Sequence, residues 1–210
     1  MRRSLAFALL WLAPLVALAR PEPLAELRTD PEWREIFASI SADVVRYSRF
    51  QEARRFAFKK RPVILVGEMR RVPGKGVSLH YPADGQTVII DDRGVLLRDA
   101  RGRNRALPRR SETFAPLASL EAVLRFDVEQ LAQQFDLRGE RTSPNWALYL
   151  TPRGGPPEAP AEIVVEGVEQ RIARIKIQRD GADQLEIRIL ESRENVTLPP
   201  DEMARFFRSP

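Results

Sequence analysis

Few residues of this 210-residue chain could carry out chemistry on a substrate. The sequence holds no cysteine and a single histidine, His80. Without cysteine there are no disulfides, thiolate zinc sites or thiol nucleophiles. A lone histidine also removes the usual ligand or base from most metal and acid–base sites. The composition therefore predicts a protein that is not an enzyme and that carries no cofactor or metal.

Two groupings remain as catalytic candidates. Ser78 and His80 share one parity of a predicted strand, where they could act as nucleophile and base, but no Gly-x-Ser-x-Gly elbow surrounds the serine. Asp91 and Asp92 are neighbouring carboxylates in a predicted turn, where adjacent side chains face different ways and are usually solvated. A hydrolase that uses Ser78 and His80 is kept as a third hypothesis.

Four short apolar runs between residues 63 and 98 form the framework that must position any binding site. Each run has the length of a strand, and Gly- or Asp-containing breaks separate them, which predicts four antiparallel strands in a meander. Val77, Leu79 and Tyr81 alternate with polar residues. One face of the sheet is therefore expected to be apolar and to need a cover.

A second antiparallel meander is predicted in the last third of the chain. The run 145–153 alternates with period two, and further strands are expected at 162–166, 171–178 and 184–190. The tail predicts one short helical turn after Pro199-Pro200.

Two helical regions could cover the apolar face. In residues 23–42, Asp30-Pro31 marks the start of a predicted helix. Apolar residues at helical spacing follow it and form a stripe. Residues 116–137 fit two short helices joined near Asp127. The stripe of the first region consists of Trp33, Ile36, Phe37 and Ile40.

The chain begins with the pattern of a secretory signal peptide. Arg2-Arg3 precede an apolar run of 14 residues, Leu5 to Leu18, which is too short to span a membrane. A small-x-small site ends at Ala19. We expect cleavage near Ala19, so that residues 1–19 are the signal peptide and residues 20–210 form a single domain.

The basic charge does not predict a nucleic-acid partner. The net charge of +5 comes mainly from Arg residues scattered among Asp and Glu. The basic cluster at residues 98–110 contains no aromatic side chain that could stack on bases.

Five motifs follow one another along the first half of the chain: Phe50-Gln51-Glu52, Gly67-Glu68-Met69, the turn proline Pro73, Tyr81-Pro82, and Thr87 to Gly94. Their order resembles the LolA-like family of periplasmic lipoprotein-carrier proteins. The similarity extends from about Val44 to Leu190 and includes the tryptophan-containing strand that ends at Pro152.

The resemblance implies an α+β fold, mainly β, in which a curved antiparallel sheet forms an incomplete (half) barrel and helices cover its concave face as a lid. It further implies a periplasmic carrier that takes up acyl chains between sheet and lid. The residues expected to line that face and contact lipid are Leu65, Met69, Leu79, Tyr81, Ile89, Leu96, Leu148, Leu150, Ile175 and Ile187.

The resemblance also implies an arginine that latches the lid. In the family this arginine ends the second strand, directly before the turn proline, and hydrogen-bonds to loop backbone. Here Val72 precedes Pro73, and Arg71 has the parity of Leu65 and Met69, so Arg71 is the predicted latch. The implied partners are an acylated lipoprotein or other lipid cargo, an inner-membrane donor complex and an outer-membrane acceptor, with the carrier itself a monomer.

Two interpretations of the sheet remain open. Periodicity alone favours a core filled by its own side chains, whereas the resemblance favours a partly filled face with room for an acyl chain. The first corresponds to a non-enzymatic periplasmic interaction module with no lipid cargo, which presents its Arg-rich hairpins to a partner.

Overall fold

The computed structural model describes residues 21–41, 43–107, 120, 123, 124, 126, 128–154, 161–178 and 183–209. The predicted signal peptide, residues 1–19, lies outside this part of the chain. Among the described residues, no helix has both the length and the apolar character needed to cross a membrane.

The described residues form one antiparallel sheet of twelve strands, and four helices pack against it. In chain order the strands are β1 (Glu22–Pro23), β2 (Arg46–Arg55), β3 (Val63–Val72), β4 (Gly76–Tyr81), β5 (Gln86–Asp91), β6 (Gly94–Arg98), β7 (Asn104–Ala106), β8 (Phe135–Thr142), β9 (Asn145–Pro152), β10 (Glu162–Val168), β11 (Arg171–Gln178) and β12 (Gln184–Glu194). The helices are α1 (Leu24–Thr29), α2 (Pro31–Ser41), α3 (Val128–Gln134) and α4 (Pro200–Phe206).

The two predicted meanders join into a single open sheet. The strand order is β1-β8-β9-β10-β11-β12-β2-β3-β4-β5-β6-β7, with β1 and β7 at the edges. The junction is the long-range pairing of β12 with β2, in which Arg188 lies opposite Gln51. The α+β fold with an open, incomplete barrel is therefore confirmed.

The sheet curves around α2, which lies on its concave face. Asp30 caps this helix, because its Oδ1 accepts hydrogen bonds from the backbone N–H groups of Glu32 (2.8 Å) and Trp33 (3.0 Å). Three side chains of the predicted stripe, Trp33, Ile36 and Ile40, are buried. A single core cluster includes α2 together with strands from β8 to β6, which requires a strongly bent sheet.

A glycine allows α2 to approach β8 closely. A Cβ atom on Gly139 would lie 2.7 Å from Cζ2 of Trp33 and 2.9 Å from a methyl group of Leu27, which is closer than real Cβ atoms come. Only glycine therefore permits the indole ring of Trp33 to rest on the strand backbone at this distance.

The C-terminal helix α4 covers the opposite, convex face. Phe206 and Phe207 are buried with Val72 in a second, smaller cluster. The guanidinium of Arg70 lies 3.8 Å from the ring centre of Phe206. Arg98 donates hydrogen bonds to the carbonyl groups of Ala204 (3.0 Å) and Arg205, which satisfies the last turn of the helix.

Candidate functional site

Eight of the ten predicted lining residues lie on the concave face. The cross-strand register places Met69 opposite Leu79, and Ile175 opposite Ile187, in rows that continue across the sheet. All eight belong to the main core cluster or pack against it: Leu65, Met69, Leu79, Tyr81, Leu148, Leu150, Ile175 and Ile187.

Ile89 and Leu96 were predicted to line the concave face, and this prediction is wrong. Leu79 lies opposite Val88, so the concave side of β5 carries Val88 and Ile90. Ile89 lies opposite both Ser78 and Leu96, and this row belongs to the convex face. The two strands are apolar at both parities, so alternation could not decide between the faces.

The concave face is almost filled by the protein's own side chains. Within the described residues, a hollow of about 50 Å³ is lined by both apolar and polar side chains, among them Ile40, Met69, Val77, Arg46 and Glu194. This volume has room for a few water molecules at most. In this arrangement, here called closed, the hollow bounded by the described residues is too small for an acyl chain, so such a ligand would require the surrounding elements to move.

Two arginines of the concave face hold the C-terminal end of α2. Arg71 Nη1 donates to the carbonyl oxygen of Ile40 at 2.9 Å, and Arg46 Nη1 donates to the same oxygen at 3.3 Å. Arg46 Nη2 also reaches the carbonyl of Ser39 at 3.3 Å. The last carbonyls of a helix carry partial negative charge and have no partner within the helix, so guanidinium groups stabilise the helix there. The sequence analysis named Arg71 but not Arg46. Arg46 could have been found only from its position in β2, which places it on the same face as Arg71.

Arg71 also borders an open groove. The groove has a volume of about 730 Å³ and lies between the end of α2 and the turn after β3, with Phe37, Ser41, Pro73 and Lys75 among its walls. Arg71 lines both the groove and the hollow. Arg71 therefore lies where the two spaces adjoin.

A buried polar cluster lies in the concave wall. Glu52 is 2% exposed, and its carboxylate accepts hydrogen bonds from the hydroxyl of Tyr81 and from Nε of Arg54. Burial and the charge of Glu52 raise the pKa of the Tyr81 hydroxyl, so the phenol stays protonated and donates. Burial lowers the pKa of Arg54, but the hydrogen bond and charge of Glu52 outweigh it and raise the pKa overall. Sequence reasoning treated Tyr81 as part of an apolar lining and missed its two partners.

Ser78 and His80 do not form an accessible catalytic pair. Both lie on the convex face and are buried, at 0% and 6% exposure, and the His80 ring lies 5.1 Å from that of Phe206 in α4. Nδ1 of His80 is already within 3.0 Å of the hydroxyl oxygen of Thr87. A substrate would have to displace α4 to reach His80.

Asp91 and Asp92 likewise do not act as a pair. Asp91 is buried, forms an ion pair with Arg208 at 2.9 Å and accepts the backbone N–H of Arg93. Asp92 is exposed. The structure thus assigns Asp91 to the attachment of the C-terminal segment.

The chain matches one protein-family model, described as outer membrane lipoprotein carrier protein LolA-like, over residues 33–190. No curated protein sequence matches it.

Several solved structures are similar in general architecture. A domain described as outer membrane lipoprotein-sorting, from Vibrio parahaemolyticus, has 11% identity and a TM-score of 0.45, and the match covers 84% of this chain and 94% of that one. A LolA superfamily protein from Nitrosomonas europaea has 8% identity and a TM-score of 0.45, with 81% and 96% covered. A DUF1329 family protein from Desulfovibrio piger has 12% identity and a TM-score of 0.38, with 81% and 96% covered.

Proposed function

The chain belongs to the LolA-like family of outer membrane lipoprotein carrier proteins, and we propose that it is a periplasmic carrier which binds acyl chains of a lipoprotein or related lipid. In this proposal the cargo enters between the concave face of the sheet and α2 and is moved toward the outer membrane. The expected signal peptide would deliver the carrier to the periplasm, where it would act as a monomer between an inner-membrane donor complex and an outer-membrane acceptor.

The position of Arg71 is the observation that carries the proposal. Its guanidinium donates a hydrogen bond to the end of α2, and the residue lines both the open groove and the hollow. Release of this contact would join the two spaces, and α2 could then swing away from the sheet. The closed arrangement corresponds to the carrier without cargo.

An acyl chain can supply enough free energy to displace α2. Exposing the buried side chains Trp33, Ile36 and Ile40 would cost about 5–9 kcal/mol, at about 1.5–3 kcal/mol each. A chain of about 15 methylene groups gains about 12 kcal/mol when it is buried, at about 0.8 kcal/mol per CH₂. The exchange of native side chains for cargo is therefore favourable, and the small difference leaves the cargo releasable.

Replacement of Arg71 by leucine tests the latch. The R71L variant loses a charged hydrogen bond that exists only in the closed state, so the open state becomes more populated and a fluorescent fatty-acid probe should bind more tightly. We expect about a three- to tenfold lower Kd than for wild type, which corresponds to about 0.7–1.4 kcal/mol. Probe titration and native mass spectrometry measure the affinity and the stoichiometry.

The matched control is Arg49→Leu. Arg49 belongs to β2 but is exposed and forms only a distant ion pair with Glu191, at 4.0 Å. R49L should bind the probe like wild type, because exposed pairs contribute little. Equal tightening in R49L and R71L would contradict the latch.

The nearly filled concave face favours one alternative, the interaction module with a packed core and no lipid cargo. On that alternative neither the wild type nor R71L binds any acyl probe. A pulldown with the folded protein would instead yield a protein partner and no lipid. Absence of probe binding in both forms would therefore overturn the carrier proposal.

A further inference from the structure

The hairpin between β2 and β3 carries an exposed cluster of aromatic and basic side chains, here called the Phe58 tip and defined as residues 56–61. Phe58 is 80% exposed, the largest exposure recorded for a big apolar side chain in the described residues. Its ring stacks on that of Phe56, with 5.4 Å between centres. Nζ of Lys59 lies 5.4 Å from the ring centre of Phe56.

The tip is strongly cationic. The stretch from Ala53 to Gly67 contains five Arg and Lys residues and no Asp or Glu. Lys59, Lys60 and Arg61 are all exposed. Among the described residues, Asp183 is the acidic side chain that contacts the tip, where its carboxylate accepts the backbone N–H of Ala57 at 2.8 Å. A patch of this charge attracts an anionic surface.

The hairpin also projects beyond its neighbour on one side. The register pairs Glu68–Val72 of β3 with β4, so Val63–Gly67 extend past that pairing. Ile64 and Val66, on the convex side of this extension, are each 49% exposed. An aromatic apex, adjacent cations and a flanking apolar strip form a continuous surface that α4 and the other described helices do not cover.

We propose that the Phe58 tip docks the protein onto the surface of an anionic lipid bilayer. Phe58 enters the boundary between headgroups and acyl chains, and Lys59, Lys60 and Arg61 contact lipid phosphates. Phenylalanine is among the apolar side chains that membrane-surface segments bury at this boundary. The docking surface consists of the Phe58 tip and the convex side of the hairpin. It does not depend on any cargo in the concave face.

Vesicle flotation tests the docking with the mature chain. Wild type should bind vesicles of phosphatidylcholine with phosphatidylglycerol and should bind pure phosphatidylcholine vesicles much more weakly. The triple variant K59Q/K60Q/R61Q should lose about a hundredfold in affinity, at about fivefold per cation removed. F58S should lose about tenfold through the missing apolar contact.

The matched control removes three arginines from the hairpin between β6 and β7. Arg101, Arg103 and Arg105 are exposed, and no aromatic residue accompanies them. The variant R101Q/R103Q/R105Q has the same net charge as the tip variant and should retain binding within about threefold. Equal losses in the two triple variants, or no binding of wild type to the anionic vesicles, would overturn the proposal.

A fluorescence measurement locates the apex directly. In Phe58→Trp, the added indole emission should shift to the blue on anionic vesicles and be quenched by brominated acyl chains, after subtraction of the wild-type spectrum. An indole that stays fully accessible to aqueous iodide while the protein is bound to vesicles would contradict insertion of the tip, and would favour contact through another surface.

Discussion

Glu52 is the residue whose placement most constrains the concave wall. Its buried carboxylate would be costly without partners, and Tyr81 and Arg54 supply them. Because Arg54 is half-exposed while Glu52 is buried, the cluster reaches from the core to the rim of the sheet. A charged group is thereby kept among the apolar side chains of this face.

The Glu52–Tyr81 hydrogen bond can be measured by a double-mutant cycle. Tyr81→Phe should destabilise the protein by about 1–2 kcal/mol, and Glu52→Gln by about 2–3 kcal/mol, because each leaves a buried partner less satisfied. The double variant should cost less than the sum, with a coupling of about 1 kcal/mol or more. Urea unfolding provides the free energies, and strictly additive losses would show that the two groups do not interact.

His80 predicts a component of acid sensitivity in a defined pH window. Burial and the nearby charge of Arg205 lower the pKa of its imidazole below the ordinary 6.5, so the unfolded chain binds the proton more readily. The stabilising contribution is complete above pH 6.5 and is lost as the pH falls through the lowered pKa of the folded state.

The single histidine makes this prediction simple to measure. One imidazole signal should titrate below 6.5 in an NMR experiment, and His80→Gln should show a smaller loss of stability between pH 7 and 5 than wild type. An imidazole that titrates at or above 6.5, or an identical pH profile for the variant, would refute the assignment.

At the scale of the elements, the sequence predicted what local patterns determine. The strands from 63 to 98 and from 145 to 190 were found, because turn residues separate runs of alternating or apolar character. The stripe of α2 was also found, because Trp33, Ile36 and Ile40 have helical spacing. The predicted two-helix region 116–137 is described only in part, and there Phe135 already begins β8.

Non-local packing accounts for the errors. The pairing of β12 with β2 joins segments more than a hundred residues apart, and no local pattern encodes it. Ile89 and Leu96 were assigned to the wrong face because α4 buries the convex side of the sheet as well. The sequence predicts one helical turn in the tail. It does not predict that this helix covers Val72 and Arg70, because the tail has no periodic apolar pattern that would indicate burial.

The attachment of α4 can be separated from the proposed cargo site. Phe206→Ala removes a buried ring from the convex cluster and should cost about 3–5 kcal/mol of unfolding free energy. Binding of the fatty-acid probe should remain within about twofold of wild type, because α4 lies on the opposite face from α2. Chemical denaturation and probe titration give the two values, and a large loss of probe affinity in the folded variant would place the cargo on the convex side.

For the whole molecule, the account depends on a change between a closed and an open arrangement. In the closed arrangement the described residues leave a hollow of about 50 Å³ on this face, which is too small for an acyl chain. The polar contacts of Arg46 and Arg71 with α2 are few and lie at one end, while the apolar contacts of the helix can be exchanged for those of cargo. Movement of α2 is therefore the step on which uptake and release both depend.

A reversible cross-link between α2 and the sheet tests that step. The hydroxyl of Ser39 donates to the carbonyl of Gln170 at 3.3 Å, so the helix and the turn between β10 and β11 are adjacent. The chain has no native cysteine, and the variant S39C/Q170C can be joined by a short, reducible thiol cross-linker. The S39C variant capped with a single maleimide is the matched control.

The decisive measurement is the affinity of the fatty-acid probe for the cross-linked protein before and after reduction. We predict that the cross-linked form binds at least about tenfold more weakly than the capped control, and that reduction restores the affinity, because only the freed helix can expose the concave face. Equally tight binding with α2 fixed to the sheet would contradict the lid and with it the proposed route of the cargo.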